Sequence, residues 1–240
     1  MSASLIVDAH CHLDSYKTIK MQNGLLPITT GYSHSSNIAN VAIAKKYNLP
    51  YVLGVAPQTA VKEGISNLEL WIAEIKKHSP VAIGEIGLDF HWAKSKDEIK
   101  REKILFERML SLVEEIKLPM VIHSREAETE VINILRERKL KSGIMMHFFS
   151  GTLKEAEKAI DLGALISIPP VYSKERKKII NNVALENILV ETDSPYVAKN
   201  FYEVKCAIQY IAEIKKLDID IIAEHTAKNA IRLFKLDHLI

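Results

Sequence analysis

The feature that most constrains this chain is a regular alternation of short apolar runs with longer segments of helical periodicity. The apolar runs are brief and rich in valine, isoleucine and leucine, as strands covered on both faces should be. Eight runs are predicted as strands: Leu5–Asp8, Leu25–Thr29, Tyr51–Val55, Val81–Gly84, Met120–His123, Gly143–His147, Ala164–Ile168 and Asn187–Glu191. This alternation favours the α/β fold class.

The segments between these runs have apolar residues at helical spacing. Asp97–Lys117 is the clearest of them, and Ser124–Arg138 begins with a serine of the type that caps helices. Tyr202–Lys216 and Ile219–Phe234 are predicted as two closing helices. Eight strands that alternate with helices predict a single (β/α)₈ TIM barrel, with an open doubly wound sheet as the alternative.

Length and composition fit one such barrel. The chain has 240 residues, of which 48% are hydrophobic and 26% are charged. It contains no evident linker, repeat or low-complexity tract, so we expect one domain over residues 1–240. The formal net charge of +2 gives no bulk electrostatic argument for a nucleic-acid partner, although a local basic patch stays possible.

Cysteine usage and hydropathy indicate a cytoplasmic protein. Cys11 and Cys206 lie far apart and form no CxxC motif, which suits a reducing compartment. No apolar run approaches the roughly 20 residues that a membrane-spanning helix needs. The first residues also lack the positive and apolar regions of a signal peptide.

The strongest local signal is the segment Asp8-Ala9-His10-Cys11-His12, at the end of the first predicted strand. Alternate side chains of a strand point to the same side, so Asp8, His10 and His12 should share a face while Cys11 points away. Barrel enzymes carry their catalytic groups at this end of the strands. Two histidines at this spacing can hold one metal ion, although a chance pair of hydrogen-bonded imidazoles has the same pattern.

Four more residues of metal-binding type lie at the ends of other predicted strands. Glu85 follows the fourth strand among small glycines, and Asp193 follows the eighth. His123 and His147 close the fifth and sixth strands. Each has an ordinary alternative role, as a helix-capping carboxylate or as a hydrogen-bonded histidine at the rim. Because all of them would lie on one rim of one barrel, together they predict a metal site.

The order of these motifs resembles the TatD family of metal-dependent deoxyribonucleases, among the amidohydrolase-like barrels. The resemblance runs nearly end to end through Asp8–His12, Gly84–Asp89, Val121–Arg125, His147–Gly151, Glu191–Pro195, Thr226–Asn229 and Leu233-Phe234. It implies a barrel hydrolase whose metal ligands are His10, His12, Glu85, His123, His147 and Asp193. The same resemblance implies that Glu85 bridges two ions.

Two segments depart from the family pattern. The family often has His-Pro-His after its third strand, where this chain has Val55-Ala56-Pro57-Gln58. The family also tends to carry an Arg/Asn/Glu-containing segment after its Asp-Ser-Pro, where Val197–Tyr202 runs almost directly into a helix. Neither change removes an expected metal ligand. Both remove expected substrate contacts and leave the identity of the substrate open.

Two residues near the rim are candidates for substrate binding. Arg125 follows His123 and is well placed to hold a phosphate, unless it forms a surface ion pair. His91 follows the fourth strand beside Trp92, where it could stack on a base, bind a phosphate or serve as an ordinary loop residue.

Imidazoles mixed with carboxylates predict one or two divalent ions, with Zn²⁺ or Mn²⁺ suited to the nitrogens and Mg²⁺ to the carboxylate-rich side. Such ions activate water for hydrolysis. Asp193 would accept the proton of that water, and Glu85 would be the second catalytic residue. The resemblance implies DNA as the substrate, and we expect single-stranded DNA or an end because a deep barrel mouth admits a strand end more easily than the interior of a duplex.

Two other functions remain open from the sequence. The same metal chemistry would hydrolyse a carboxylic ester or amide, including an aminoacyl ester on tRNA, and the missing His-Pro-His leaves room for that substrate. A non-catalytic binding protein on a barrel scaffold is the third possibility. The complete ligand set argues against it, because degraded enzymes usually lose a ligand.

Overall fold

The computed structural model describes residues 5–237, which form a parallel eight-stranded sheet in the order β1 to β8. The strands are β1 Ile6–Cys11, β2 Leu25–Thr30, β3 Tyr51–Leu53, β4 Ala82–Asp89, β5 Met120–Arg125, β6 Ile144–Met146, β7 Ala164–Ile168 and β8 Ile188–Val190. Each pair of consecutive strands is hydrogen-bonded in parallel. The predicted TIM barrel is therefore confirmed, and the open doubly wound sheet is wrong.

Helices follow the strands around the outside of the barrel. They are α1 His34–Tyr47, α2 Pro57–Glu63, α3 Leu68–Ile75, α4 Lys96–Ile116, α5 Glu128–Arg138, α6 Leu153–Ile160, α7 Lys174–Asn182, α8 Val204–Lys215 and α9 Ile219–Phe234. Short 3₁₀ turns occupy Leu13–Ser15, Leu185–Asn187 and Phe201–Glu203. Within residues 5–237, every helix is too short or too polar to cross a membrane.

Two features join the first and last strands and fill the barrel. The backbone N–H of Asp193 donates to His10 O at 3.0 Å, and that of His12 donates to Ser194 O at 2.8 Å. A buried apolar cluster takes at least one residue from each of the eight strands and adds Leu233 and Phe234 of α9. The chain around the β1 and β8 ends is therefore held together by backbone bonds, above a packed core.

The β4–β5 pair differs from the prediction in a way that changes the site. Glu85 lies within β4 rather than after it, and the predicted helix start at Ser124 is wrong. Ser124 and Arg125 belong to β5, because they pair with Leu88 and Asp89 at the extended end of β4. Serine often caps a helix, but the pairing of β4 with β5, which the local sequence does not encode, places Ser124 in a strand instead.

Smaller differences occur at other boundaries. The strand predicted to end at Asp8 continues to Cys11, so that His10 lies in β1 and His12 follows it directly. The predicted helix from Tyr202 begins instead at Val204, after a 3₁₀ turn. Helix ends commonly tighten into such turns.

Candidate metal centre

The six predicted ligands meet at the carboxyl ends of the strands. His10, Glu85 and His123 lie within β1, β4 and β5, respectively, and His12 directly follows β1. The other two, His147 and Asp193, follow β6 and β8. All but His10 line a cavity of about 590 Å³, and the His10 side chain lies beneath them, fully buried. The structure thus brings the set together, and its role in binding metal is a proposal.

The first group of ligand atoms comes from the end of β1. His10 Nε2 and His12 Nε2 lie 3.1 Å apart, and His12 Nε2 lies 3.2 Å from Asp193 Oδ1. Asp8 turns elsewhere, since its carboxylate accepts hydrogen bonds from the backbone N–H and hydroxyl of Thr192. Of the three residues expected on one face of β1, the two histidines therefore point together into the site. Asp8 instead binds Thr192, in the segment that carries Asp193.

Glu85 lies between this first group and a second one. Its Oε2 is 3.9 Å from the Nε2 atoms of both His10 and His12. Its Oε1 is 2.7 Å from His123 Nδ1 and 3.8 Å from His147 Nε2. One carboxylate oxygen thus faces each pair of histidines, which is the arrangement that a bridging ligand requires.

Three of the four histidines are oriented by an oxygen at their outer ring nitrogen. The contacts are His12 Nδ1 to Thr30 O at 2.9 Å, His123 Nε2 to Asp89 Oδ2 at 2.8 Å, and His147 Nδ1 to Glu191 Oε2 at 3.0 Å. In a neutral ring, an N–H donated outward leaves the inner nitrogen with a free lone pair for a metal ion. His10 Nδ1 is buried without such a partner among residues 5–237.

These buried groups strongly shift one another's protonation. Burial and the neighbouring histidines hold the pKa of His10 well below its ordinary value, so its imidazole is neutral. Burial alone would raise the pKa of Glu85, but His123 and His147 hold it well below the usual range. Glu85 is therefore an ionised carboxylate in a site that is nearly closed to water.

The donor set fits divalent metal ions. Two groups, His10–His12–Glu85 and Glu85–His123–His147, each have nitrogen and oxygen atoms within 4.8 Å of one another. Zinc and manganese accept this mixture of imidazole and carboxylate ligands. The shared carboxylate joins the two groups, so the residues are suited to one ion or to two.

Glycines let β4 pass close to β5 beside Glu85. Gly87 has φ +145°, and a Cβ there would lie 1.9 Å from His123 O. A Cβ at Gly84 would lie 2.6 Å from Val121 Cβ. The missing side chains of these two glycines therefore permit the close approach of β5.

Sequence reasoning missed a set of polar residues behind His123. Asp89 Oδ2 also accepts a hydrogen bond from Gln58 Nε2 at 2.8 Å, and the Asp89 backbone N–H donates to Glu102 Oε2 at 2.9 Å. Burial raises the pKa of Glu102 to about 7. A signal was present, because Glu85, Gly87 and Asp89 alternate along one strand and so face one side.

The two predicted substrate contacts lie in different surroundings. Arg125 is exposed at the end of β5 and lines the cavity. His91 is exposed outside the cavity lining and pairs with Glu126 at 2.7 Å. Its neighbour Trp92 lines the cavity instead. The substrate-binding roles of Arg125 and His91 stay predictions.

Metal binding should release protons from two histidines. Burial alone would lower both pKa values, but Asp89 and Glu85 raise the pKa of His123 to about 10, and Glu191 raises that of His147 to about 9. Both rings are therefore imidazolium in the ion-free protein at neutral pH, and an ion needs them neutral. We expect Zn²⁺ affinity to increase with pH up to about pH 10, where His123 also becomes neutral.

Calorimetric titration at pH 7 in buffers of different ionisation enthalpy measures this release directly. A binding enthalpy that is the same in every buffer would contradict it. The ion-free protein should also lose stability as pH rises through these raised pKa values, since that contribution is complete only below the ordinary histidine pKa.

A parallel barrel with clustered histidines and carboxylates at its strand ends defines the class of metal-dependent barrel hydrolases. The chain belongs to the TatD related DNase family, whose model matches residues 7–235. It is a TatD-like metal-dependent hydrolase, as the sequence motifs predict.

Relatives of known sequence match over nearly their whole length. An uncharacterized metal-dependent hydrolase, YabD of Bacillus subtilis, is 30% identical, with 97% of this chain and 100% of the relative covered. The human deoxyribonuclease TATDN3 is 29% identical, with 98% of this chain and 97% of the relative covered. The family likeness is therefore not confined to the site.

A solved structure agrees with this assignment. YJJV, a TatD homologue from Escherichia coli K12, superimposes with a TM-score of 0.85 at 26% identity, covering 96% of this chain and 98% of that one. These comparisons support hydrolase chemistry and do not favour the carboxylic-ester or aminoacyl-tRNA alternative.

Proposed function

We propose that the chain is a divalent-metal-dependent phosphodiesterase that cleaves single-stranded DNA from an end, as one hydrolase domain over residues 1–240. The observation that carries this proposal is the placement of Glu85, with one oxygen toward each pair of histidines. The name of the human relative, a deoxyribonuclease, supports DNA as the substrate.

The four histidines and Glu85 are the proposed ligands of two metal ions. His10 and His12 would hold one Zn²⁺ or Mn²⁺ ion, and His123 and His147 a second, with Glu85 shared between them. When bound, such ions supply an activated water and offset negative charge on a phosphate. Mg²⁺ is the weaker choice, because most of these ligand atoms are nitrogens.

Asp193 is the residue suited to accept a proton from the attacking water. Its side chain is 15% exposed and lines the cavity, while the Glu85 side chain is only 7% exposed. Its Oδ1 lies 3.2 Å from His12 Nε2, so it reaches both the cluster and the solvent side. A positioned carboxylate of this kind can act as a general base.

Arg125 would anchor a phosphate next to the reacting one. It lies two residues beyond His123 at the exposed end of β5. A guanidinium can hold a phosphate through two parallel hydrogen bonds, which a lysine cannot reproduce. Arg125→Lys should therefore raise KM on an oligonucleotide more than it lowers kcat.

The test compares wild type and Arg125→Lys on an end-labelled single-stranded oligonucleotide and on bis(p-nitrophenyl) phosphate. A loss on the oligonucleotide with little change on the small ester is expected. A circular oligonucleotide of the same sequence tests the requirement for an end and should resist cleavage. If the metal-loaded wild type ignores DNA and hydrolyses a carboxylic ester or aminoacyl-tRNA, the phosphodiesterase proposal is wrong.

A further inference from the structure

The cavity has exposed aromatic rings on two opposite sides. Trp92 follows β4 and is 48% exposed, and Tyr196 follows β8 and is 58% exposed. In a barrel with the strand order β1 to β8, positions after β4 and β8 lie half a turn apart. The candidate metal centre therefore lies between two sides of the cavity, each of which carries an exposed aromatic ring.

The tyrosine side is a wall built directly against the metal centre. The ring centroids of Tyr196 and Tyr32 lie 5.1 and 5.4 Å from that of His12. The Tyr196 hydroxyl lies 2.9 Å from Ser15 Oγ and 3.2 Å from the Tyr32 hydroxyl. This chain of hydroxyls ties together the loops after β1, β2 and β8. The two tyrosine rings therefore line the cavity on the side next to His12.

The tryptophan side is open and positively charged. Lys62 Nζ lies 5.1 Å from the Trp92 ring centroid, and Arg125 lines the same side of the cavity. Neither cation forms an ion pair within residues 5–237, and both are exposed. Glu126, which directly follows Arg125, is paired with His91. The two cations are thus available to phosphates.

We propose that Trp92, Lys62 and Arg125 form a track for the nucleotide chain, while Tyr32 and Tyr196 receive the terminal nucleoside. The proposal rests on the DNA-hydrolase function above and adds the direction in which the strand lies. A base stacks on Trp92, and the phosphates beside it contact the two cations. The bond cut is the one between the track and the tyrosine wall, and it releases a mononucleotide.

Binding can be followed by fluorescence, because Trp92 is exposed while the other tryptophan, Trp71, is 5% exposed. Oligothymidylate with phosphorothioate linkages should quench the metal-loaded wild type. Trp92→Phe should remove the quenching. Affinities are then compared by the anisotropy of dye-labelled oligothymidylate, which does not depend on Trp92: Trp92→Phe should keep most of the wild-type affinity, whereas Trp92→Ala should bind about tenfold more weakly. Tyr172→Ala is the matched control, since Tyr172 is 62% exposed outside this cavity and should bind as wild type does.

Salt dependence tests the phosphate contacts separately. Lys62→Ala should weaken oligonucleotide binding and reduce the slope of log K against log salt by about 0.7, the value for one contact to a single strand. Lys205→Ala, an exposed lysine on α8, should leave the slope unchanged. Lys205→Ala should also hydrolyse bis(p-nitrophenyl) phosphate at the wild-type rate, because it lies outside the cavity.

The outcomes separate this proposal from the function on which it rests. If wild type cleaves DNA but Trp92→Ala and Lys62→Ala bind and cleave it equally well, the track is wrong and the nuclease function stands. If wild type neither binds nor cleaves DNA, the proposed function is wrong and the track is wrong with it.

Discussion

Replacing Asp193 with asparagine should lower the hydrolysis rate by about 10² to 10⁴-fold, the usual contribution of a general base. The carboxamide can still lie against His12, but it cannot accept a proton at neutral pH. Asp193 has φ +48°, in the left-handed region that asparagine tolerates as well as aspartate does. The backbone should therefore keep its course, and the loss should come from chemistry.

The measurement is kcat on bis(p-nitrophenyl) phosphate, with metal content and melting temperature determined on the same preparation. Using a small ester keeps the contribution of DNA binding out of the comparison. An Asp193→Asn enzyme that binds its metals and retains activity within a few-fold of wild type would assign the proton acceptor to another residue.

Glu85→Gln should have the larger effect, removing metal as well as activity. The carboxamide has one oxygen, so it can serve only one pair of histidines and presents an N–H₂ group to the other. The pair that no longer receives an oxygen from Glu85 should lose its ion. Mutating a residue that only hydrogen-bonds to a metal ligand typically lowers metal affinity or activity by about 10- to 100-fold. Loss of the shared ligand itself should therefore lower activity by more than about 100-fold.

Metal content per chain should decrease by at least half on dialysis against a weak chelator, as measured by elemental mass spectrometry. Glu157→Gln is a matched control, because Glu157 is an exposed glutamate on α6. The bridging assignment would be contradicted if Glu85→Gln retained wild-type metal content. Equal metal loss in both variants would indicate a general loss of stability instead.

Much of this site was predictable from the sequence because its residues follow strand ends. The spacing of His10 and His12 in an extended strand already predicted two imidazoles on one side. His123 and Asp193 were found from the apolar runs before them, since parallel strands of a barrel end at one rim. Their roles as ligands remain to be tested by the metal and variant measurements.

The residues that orient the ligands were not predictable in the same way. Asp89 contacts His123 across the β4–β5 pair, although 34 residues separate them. Asp8 was expected beside His10 and is held by Thr192, 184 residues away. Such contacts depend on the register of β4 with β5 and on the closure of β1 against the segment after β8, which no short window of sequence encodes.

The sequence by itself determined the alternation of strands and helices and the order of ligand-type residues at the strand ends. Those properties follow from backbone periods of two and 3.6 residues, which are local. Only the tertiary structure decided that Glu85 lies between two pairs of histidines, that Ser124 extends β5, and that the tryptophan and tyrosine sides of the mouth differ. These depend on closing the barrel, because closure sets the distances between side chains that are remote along the chain.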